Sequence, residues 1–188
     1  MFAITPVNTT TVYLLRHAEA EGTGVKDPLT PAGQAAAEAL VPTLEALEID
    51  GIFSSPATRA QETAAPLAAK LDLTVMSMTD LREQRLSMAG TAPDDPMLES
   101  RFTNRMQARP GGEHFNAAAL RLRAAVKAIS RRPMLAPLMV THGGLIASLL
   151  SQLDKTYGYA EFTAMPRPAL FKLTHIKGTP RTVEPLTL

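Results

Sequence analysis

The stretch Thr11-Val-Tyr-Leu-Leu15, followed at once by Arg16-His17, decides how the chain is read. A short run of β-branched and apolar side chains is the mark of a buried strand. A cation and an imidazole directly after it stand where open α/β sheets place ligand-binding groups, beyond the carboxyl ends of the strands. The pattern returns downstream, where the apolar run Met134 to Val140 ends in Thr141-His142-Gly143-Gly144. Asp50-Gly-Ile-Phe-Ser54 reads as a second short strand, Leu73 to about Leu81 as a third, and Ala169 to Thr174 as the last.

Helices fill the intervals. Thr30-Pro31 supplies a cap and a first-turn proline to an Ala-rich segment running to Leu47, with Ala36, Leu40, Leu44 and Leu47 at helical spacing. Pro42 predicts a kink or break in it. Ser55-Pro56 reads as a second cap and proline pair, ahead of Ala60, Ala64, Leu67 and Leu71 on one helical face, with Pro66 a point of bending. Glu113 to Ser130 and Leu145 to Leu153 read as further helices. Alternating strands and helices predict an α/β fold, a three-layer α/β/α sandwich with a mostly parallel central sheet. The interval from about 82 to 112, rich in Met, Pro and Asp, breaks the pattern and reads as a lid or insertion in one domain spanning 1–188.

The 188 residues are 45% hydrophobic and 20% charged, enough for one sizeable core. Cysteine is absent, which excludes disulfides, thiolate zinc sites and a cysteine nucleophile. Residues 1 to 15 lack a basic n-region and a continuous apolar core, and no later stretch reaches membrane-spanning length, so a cytoplasmic protein without a membrane partner is expected. The net charge of +1 averages an acidic first half, −6 over 1–94, with a basic second half, +7 over 95–188. The excess is concentrated between Arg101 and Arg132. It reads either as a solvated helical face or as an attraction for an anionic substrate, with Arg101 to Arg109 facing a second anionic group.

Arg16, His17, Arg59, Glu83 and His142 together carry the parts that phosphoryl transfer requires. The transferring group needs positive charge around its equatorial oxygens, a nucleophile in line, and a proton donor for the leaving oxygen. Guanidinium forks suit phosphate oxygens, and an imidazole is nucleophilic at neutral pH.

Six blocks, in order, resemble the histidine phosphatase superfamily, the phosphoglycerate-mutase-like group. They are Leu-Leu-Arg16-His17-Ala-Glu, Leu29-Thr-Pro-Ala-Gly33-Gln, Phe53-Ser-Ser-Pro56-Ala-Thr-Arg59-Ala-Gln-Glu-Thr63, Leu81-Arg-Glu83, Pro110-Gly-Gly-Glu113 and Val140-Thr-His142-Gly-Gly144. The resemblance implies that His17 becomes a phosphohistidine and that Arg16, Arg59 and His142 clamp the phosphoryl group. It implies that Glu83 is the general acid. The Gly143 N–H is expected to add a phosphate donor, and no metal or other cofactor is expected because the clamp supplies the positive charge. Thr23 and His114 are secondary candidates for substrate contacts.

The chain also departs from the family pattern. Ala18 stands where a glycine usually follows Arg-His, Ala20 and Thr23 replace a threonine and an asparagine, and Gln84 to Gly90 replaces a glycine, tryptophan and acid block. His114 stands in place of a serine, and the segment Pro166 to Leu170 lacks the usual asparagine and serine. These changes bear on the substrate pocket more than on the chemistry. The resemblance implies a phosphomonoester hydrolase acting on a small phosphorylated metabolite, and the short interval between Arg59 and His142 favours hydrolysis over a cofactor-dependent mutase. A phosphohistidine-protein substrate stays open. A non-catalytic phospholigand binder would have no use for both a nucleophile and an acid, the histidines lack metal-ligand spacing, and the basic stretch has too few aromatics for a nucleic-acid partner.

Overall fold

The computed structural model describes residues 9–87, 95–176 and 179–188. Residues 88–94, part of the interval read as a lid, lie outside the described set. The elements are β1 (Thr9–Arg16), α1 (Pro31–Ala39), α2 (Val41–Glu45), β2 (Gly51–Ser54), α3 (Thr58–Leu71), β3 (Val75–Ser77), a 3-10 turn (Thr79–Leu81), α4 (Asp95–Thr103), α5 (Phe115–Ile129), β4 (Pro137–Thr141), α6 (Gly143–Leu153), α7 (Tyr159–Ala164), β5 (Ala169–Ile176) and β6 (Thr179–Leu186).

The six strands lie in the order β3-β2-β4-β1-β5-β6. β1, β2, β3 and β4 pair in parallel, and β5 and β6 extend the sheet antiparallel. Successive side chains of β1 serve opposite faces, as strand geometry requires. Val12 and Leu14 pack with Phe115, Leu122, Leu145 and Leu149 of α5 and α6, whereas Tyr13 and Leu15 pack with Leu44, Ala60, Ala64 and Leu67 of α2 and α3. The result is the expected three-layer sandwich.

Local chemistry explains most element boundaries. Thr30 caps α1 through its hydroxyl, which accepts from the Gly33 N–H at 3.0 Å. Pro42 falls in the first turn of α2, so the Ala-rich segment is broken into two helices at Leu40. Pro66 is carried inside α3 without ending it.

Three elements differ from the pattern expected of the sequence. Ser55-Pro56 is not the start of α3, which begins at Thr58 with Ala57 as an N-cap that makes no side-chain hydrogen bond, because the Ser55 hydroxyl is drawn toward His142. The third strand shrinks to Val75–Ser77 and gives way to the 3-10 turn. β6 lies beyond the last expected strand, and its Pro180 and Pro185, which argue against a strand, are tolerated because β6 is the edge strand.

Register sets the site. Arg16 lies beside Thr141 and Ser54 beside Val140, while the His17 N–H donates to the Thr141 carbonyl at 3.0 Å and the Ser55 N–H to the Val140 carbonyl at 2.9 Å. The residues just past β1, β2 and β4 therefore emerge side by side at one carboxyl edge. The parallel core that enforces this rests on α5, whose Phe115 is 1% exposed and stacks edge-on with Phe102 of α4 at 4.8 Å. Phe115→Ala is expected to lower stability by about 3–5 kcal/mol, read as a drop in the urea midpoint with an unchanged slope.

Candidate active site

Arg59 joins the two histidines. It sits in the first turn of α3 and is 4% exposed. Its Nε donates to His17 Nε2 at 3.1 Å, Nη2 to His142 Nδ1 at 3.1 Å, and Nη1 to the Gly24 carbonyl at 2.6 Å. The imidazoles meet edge to face with centroids 5.1 Å apart.

Partners settle the tautomers, because a guanidinium only donates and a carbonyl only accepts. His17 Nδ1–H donates to the Ala18 carbonyl at 2.7 Å, leaving the Nε2 lone pair toward Arg59. His142 accepts at Nδ1, so Nε2–H donates to the Ser55 hydroxyl at 2.8 Å. Both rings must be neutral for this network to exist. Burial, with the neighbouring His142 and Arg59, pulls His17 down to about 3, opposed by its bond to Ala18 and by Glu83. Burial and then the cations Arg59, Arg121 and Arg16 pull His142 down to about 3.

Arg16 ends β1 and is 6% exposed. Its Nη1 donates to the Met165 and Pro166 carbonyls at 2.5 and 3.3 Å, and its guanidinium lies across Gly143, where a Cβ would come within 2.9 Å of it. Burial lowers Arg16 to about 10, so it stays charged at neutral pH. Gly143 opens α6, with its backbone N–H at the positive end of the helix.

Glu83 stands in irregular chain after the 3-10 turn. Its carboxylate accepts from the Gly144 N–H at 3.0 Å and from the Leu145 and Gln84 N–H groups at 2.9 and 2.7 Å. It caps α6 beside both arginines, and its charge opposes the lowering of each. Gly144 leaves room for this, since a Cβ there would sit 2.7 Å from Glu83 Oε1.

The structure thus gathers Arg16, His17, Arg59, Glu83, His142 and Gly143. Thr23 lies exposed on the loop whose next residue, Gly24, holds Arg59. His114 is a helix cap: its Nδ1 accepts from the Ala117 N–H at 3.0 Å, and no hydrogen bond links it to the histidine pair.

Glu113, the last residue of the Pro110-Gly-Gly block, pairs with Arg121 at 2.7 Å. Arg101 is not the exposed cation that a basic helical face would present. Arg101 is 7% exposed and lies among aromatic rings.

Sequence reasoning missed Ser55 as the partner of His142, and Thr63, whose hydroxyl accepts the Ala18 N–H at 3.1 Å and donates to the Arg59 carbonyl at 2.7 Å. Both stand inside the block quoted around Arg59, which was their available signal. Among the described residues, no three of His, Cys, Asp and Glu converge to hold a metal ion, and no helix is long and apolar enough to cross a membrane.

Fold and site together define a three-layer α/β protein with a histidine pair and an arginine clamp at the carboxyl edge of its parallel strands. The model of the histidine phosphatase superfamily, branch 1, matches residues 12–185, and the chain belongs to that family. A Yersinia pestis protein named "Probable phosphoglycerate mutase GpmB" is 30% identical over 166 residues, 80% of this chain and 77% of that protein. An uncharacterised Mycobacterium tuberculosis protein is 41% identical over 81 residues; the match covers 39% of this chain and 40% of the relative. The fold is shared with a mycobacterial glucosyl-3-phosphoglycerate phosphatase (TM-score 0.73, 23% identity, 95% and 97% of the two chains). It is also shared with a Bacillus anthracis phosphoglycerate mutase (TM-score 0.73, 21% identity, 95% and 93%).

The neutral imidazoles have a consequence for stability. Their folded pKa values lie below the unfolded value of about 6.5, so the stability they contribute is present above that pH and is lost on acidification toward 3. Each adds a slope approaching about 1.4 kcal/mol per pH unit within that window. Denaturant titrations at pH 7, 6, 5 and 4 should show this fall, and His142→Asn should flatten it relative to the unaltered protein.

Proposed function

We propose that the protein is a phosphomonoester hydrolase that works through a phosphohistidine on His17, without a metal, on a small phosphorylated metabolite. The observation that carries the reading is the single Arg59 guanidinium donating to both imidazoles, which leaves a neutral His17 with its Nε2 lone pair toward the clamp. When a phosphate monoester enters, its oxygens compete for the Arg59 donors. N–H···N bonds give way to stronger charge-assisted N–H···O⁻ bonds, and the lone pair is released toward phosphorus.

His17 Nε2 then bonds to phosphorus as the ester P–O bond breaks, and Glu83 passes to the departing oxygen a proton received from the entering monoanionic ester or, in later turnovers, from water. Arg16, Arg59 and the Gly143 N–H hold the equatorial oxygens, and His142 joins them on taking up a proton at Nδ1, the nitrogen that faces the clamp, while its Nε2–H stays on Ser55. In the second step Glu83 takes a proton from water, the water oxygen bonds to phosphorus, and the P–N bond breaks to regenerate neutral His17 and inorganic phosphate. The clamp arginines supply the positive charge that a metal would otherwise bring. We take 1–188 as one working domain with 82–112 as its lid.

Transfer to a second hydroxyl in place of water would make the same site a mutase, a reading supported by the name of the Yersinia relative. A phosphohistidine protein would present a phosphoryl group to the same clamp. The phosphatase name of the mycobacterial neighbour supports hydrolysis.

A phosphate-release screen over a metabolite panel with EDTA present is expected to find turnover that His17→Ala abolishes; wild-type turnover in that variant would remove His17 as nucleophile. Arg16→Ala or Arg59→Ala should lower kcat about 10²–10³-fold, and a loss below about tenfold would take that arginine out of the clamp. Glu83→Gln should slow alkyl phosphates far more than p-nitrophenyl phosphate, whose phenolate leaves without a proton.

A further inference from the structure

Arg101 is a buried cation with no role in the scheme above. It projects from α4, is 7% exposed, and its guanidinium lies 4.4 Å from the Phe162 ring centroid, 5.2 Å from that of Phe115 and 5.3 Å from that of Phe102. Its Nε and Nη2 are buried without a hydrogen-bond partner. A buried charge so poorly hydrogen-bonded is costly unless something offsets it. The ring faces offset part. The rest of its surroundings lead to Glu83.

Arg101 Nη1 donates to Gln84 Oε1 at 3.0 Å, and Gln84 Nε2 donates to the Glu113 carbonyl at 3.0 Å, so the Gln84 side chain is held at both ends. The Gln84 backbone N–H in turn donates to Glu83 Oε1 at 2.7 Å. Arg101 and Glu83 also meet at one spot on α6: a Cβ on Gly144 would lie 2.7 Å from Glu83 Oε1 and 3.2 Å from Arg101 Nη1. Glu83 therefore carries the negative charge that Arg16, Arg59 and Arg101 all feel. The Gly144, Leu145 and Gln84 N–H groups hold the carboxylate at the start of α6, and Arg101 fixes the Gln84 that supplies one of them.

We propose that Arg101 is the positioning residue for Glu83: through Gln84 it holds the carboxyl group at the start of α6 and at the leaving oxygen, and it makes that placement depend on α4. The proposal rests on the reading of Glu83 as the general acid. It differs from that reading in what it requires of a residue that never touches substrate. α4 becomes the element that arms the acid, because it carries both the Arg101 fork and the Phe102 anchor.

The test is the ratio of kcat/KM on glycerol 3-phosphate to that on p-nitrophenyl phosphate, which does not depend on the fraction of folded protein. It is measured for Arg101→Leu in the wild-type and Glu83→Gln backgrounds. Arg101→Leu should lower the ratio about tenfold or more in the wild-type background and less than about twofold in the Glu83→Gln background, since the two residues act as one unit. Equal losses on both esters, or the same fall of the ratio in both backgrounds, would overturn the proposal. Arg101→Lys keeps the charge but not the planar fork, and should lower the ratio about threefold; it carries the same comparison if the leucine variant does not fold. A Glu83→Gln protein with the wild-type ratio would instead overturn the assignment of Glu83 as the acid.

Discussion

One guanidinium that donates to two imidazoles constrains the whole site. Arg59 can bond His17 Nε2 and His142 Nδ1 at once only if both rings are neutral and both present a lone pair to it. The remaining ring nitrogens must then donate, and each finds an acceptor, the Ala18 carbonyl for His17 and the Ser55 hydroxyl for His142. Burial and positive charge act in the same direction and hold the imidazoles unprotonated. On the proposed mechanism, the nucleophile is thereby prepared in its reactive form by the same cation that receives the phosphoryl group.

The fold contributes by register. Parallel pairing of β1 and β2 with β4 brings Arg16-His17, Ser55 and His142 to one edge, and α3 starts close enough for Arg59 to span the histidines. α6 starts there too, with Gly143 and Gly144 giving Arg16 and Glu83 their close approach to the backbone. Two consecutive glycines are thus needed for different partners. One lets a guanidinium lie flat against the helix start, and the other leaves space for a carboxylate.

Much of this was legible in the sequence because the signals are local. Val12 to Leu15 followed by Arg16-His17, and the apolar run before Thr141-His142-Gly-Gly, announce strand ends with reactive residues on them. Thr30-Pro31 and Pro42 mark helix boundaries by backbone chemistry alone. What stayed hidden depends on distant partners. Ser55 has the composition of a helix cap, yet its hydroxyl answers to a histidine 87 positions away. Arg101 sits in a basic stretch, and only the packing of Phe102, Phe115 and Phe162 turns it from a surface charge into a buried one. β6 escaped because two prolines are forbidden in a central strand and harmless on an edge.

The central claim is that the His17 imidazole takes the phosphoryl group at Nε2. Quenching the reaction in alkali during turnover of a labelled phosphate ester, then mapping the labelled peptide, tests it most directly. The account predicts an acid-labile, alkali-stable phosphate on the peptide carrying His17, attached at Nε2. Label on a hydroxyl side chain, on His142, or on no residue at all during turnover would contradict it.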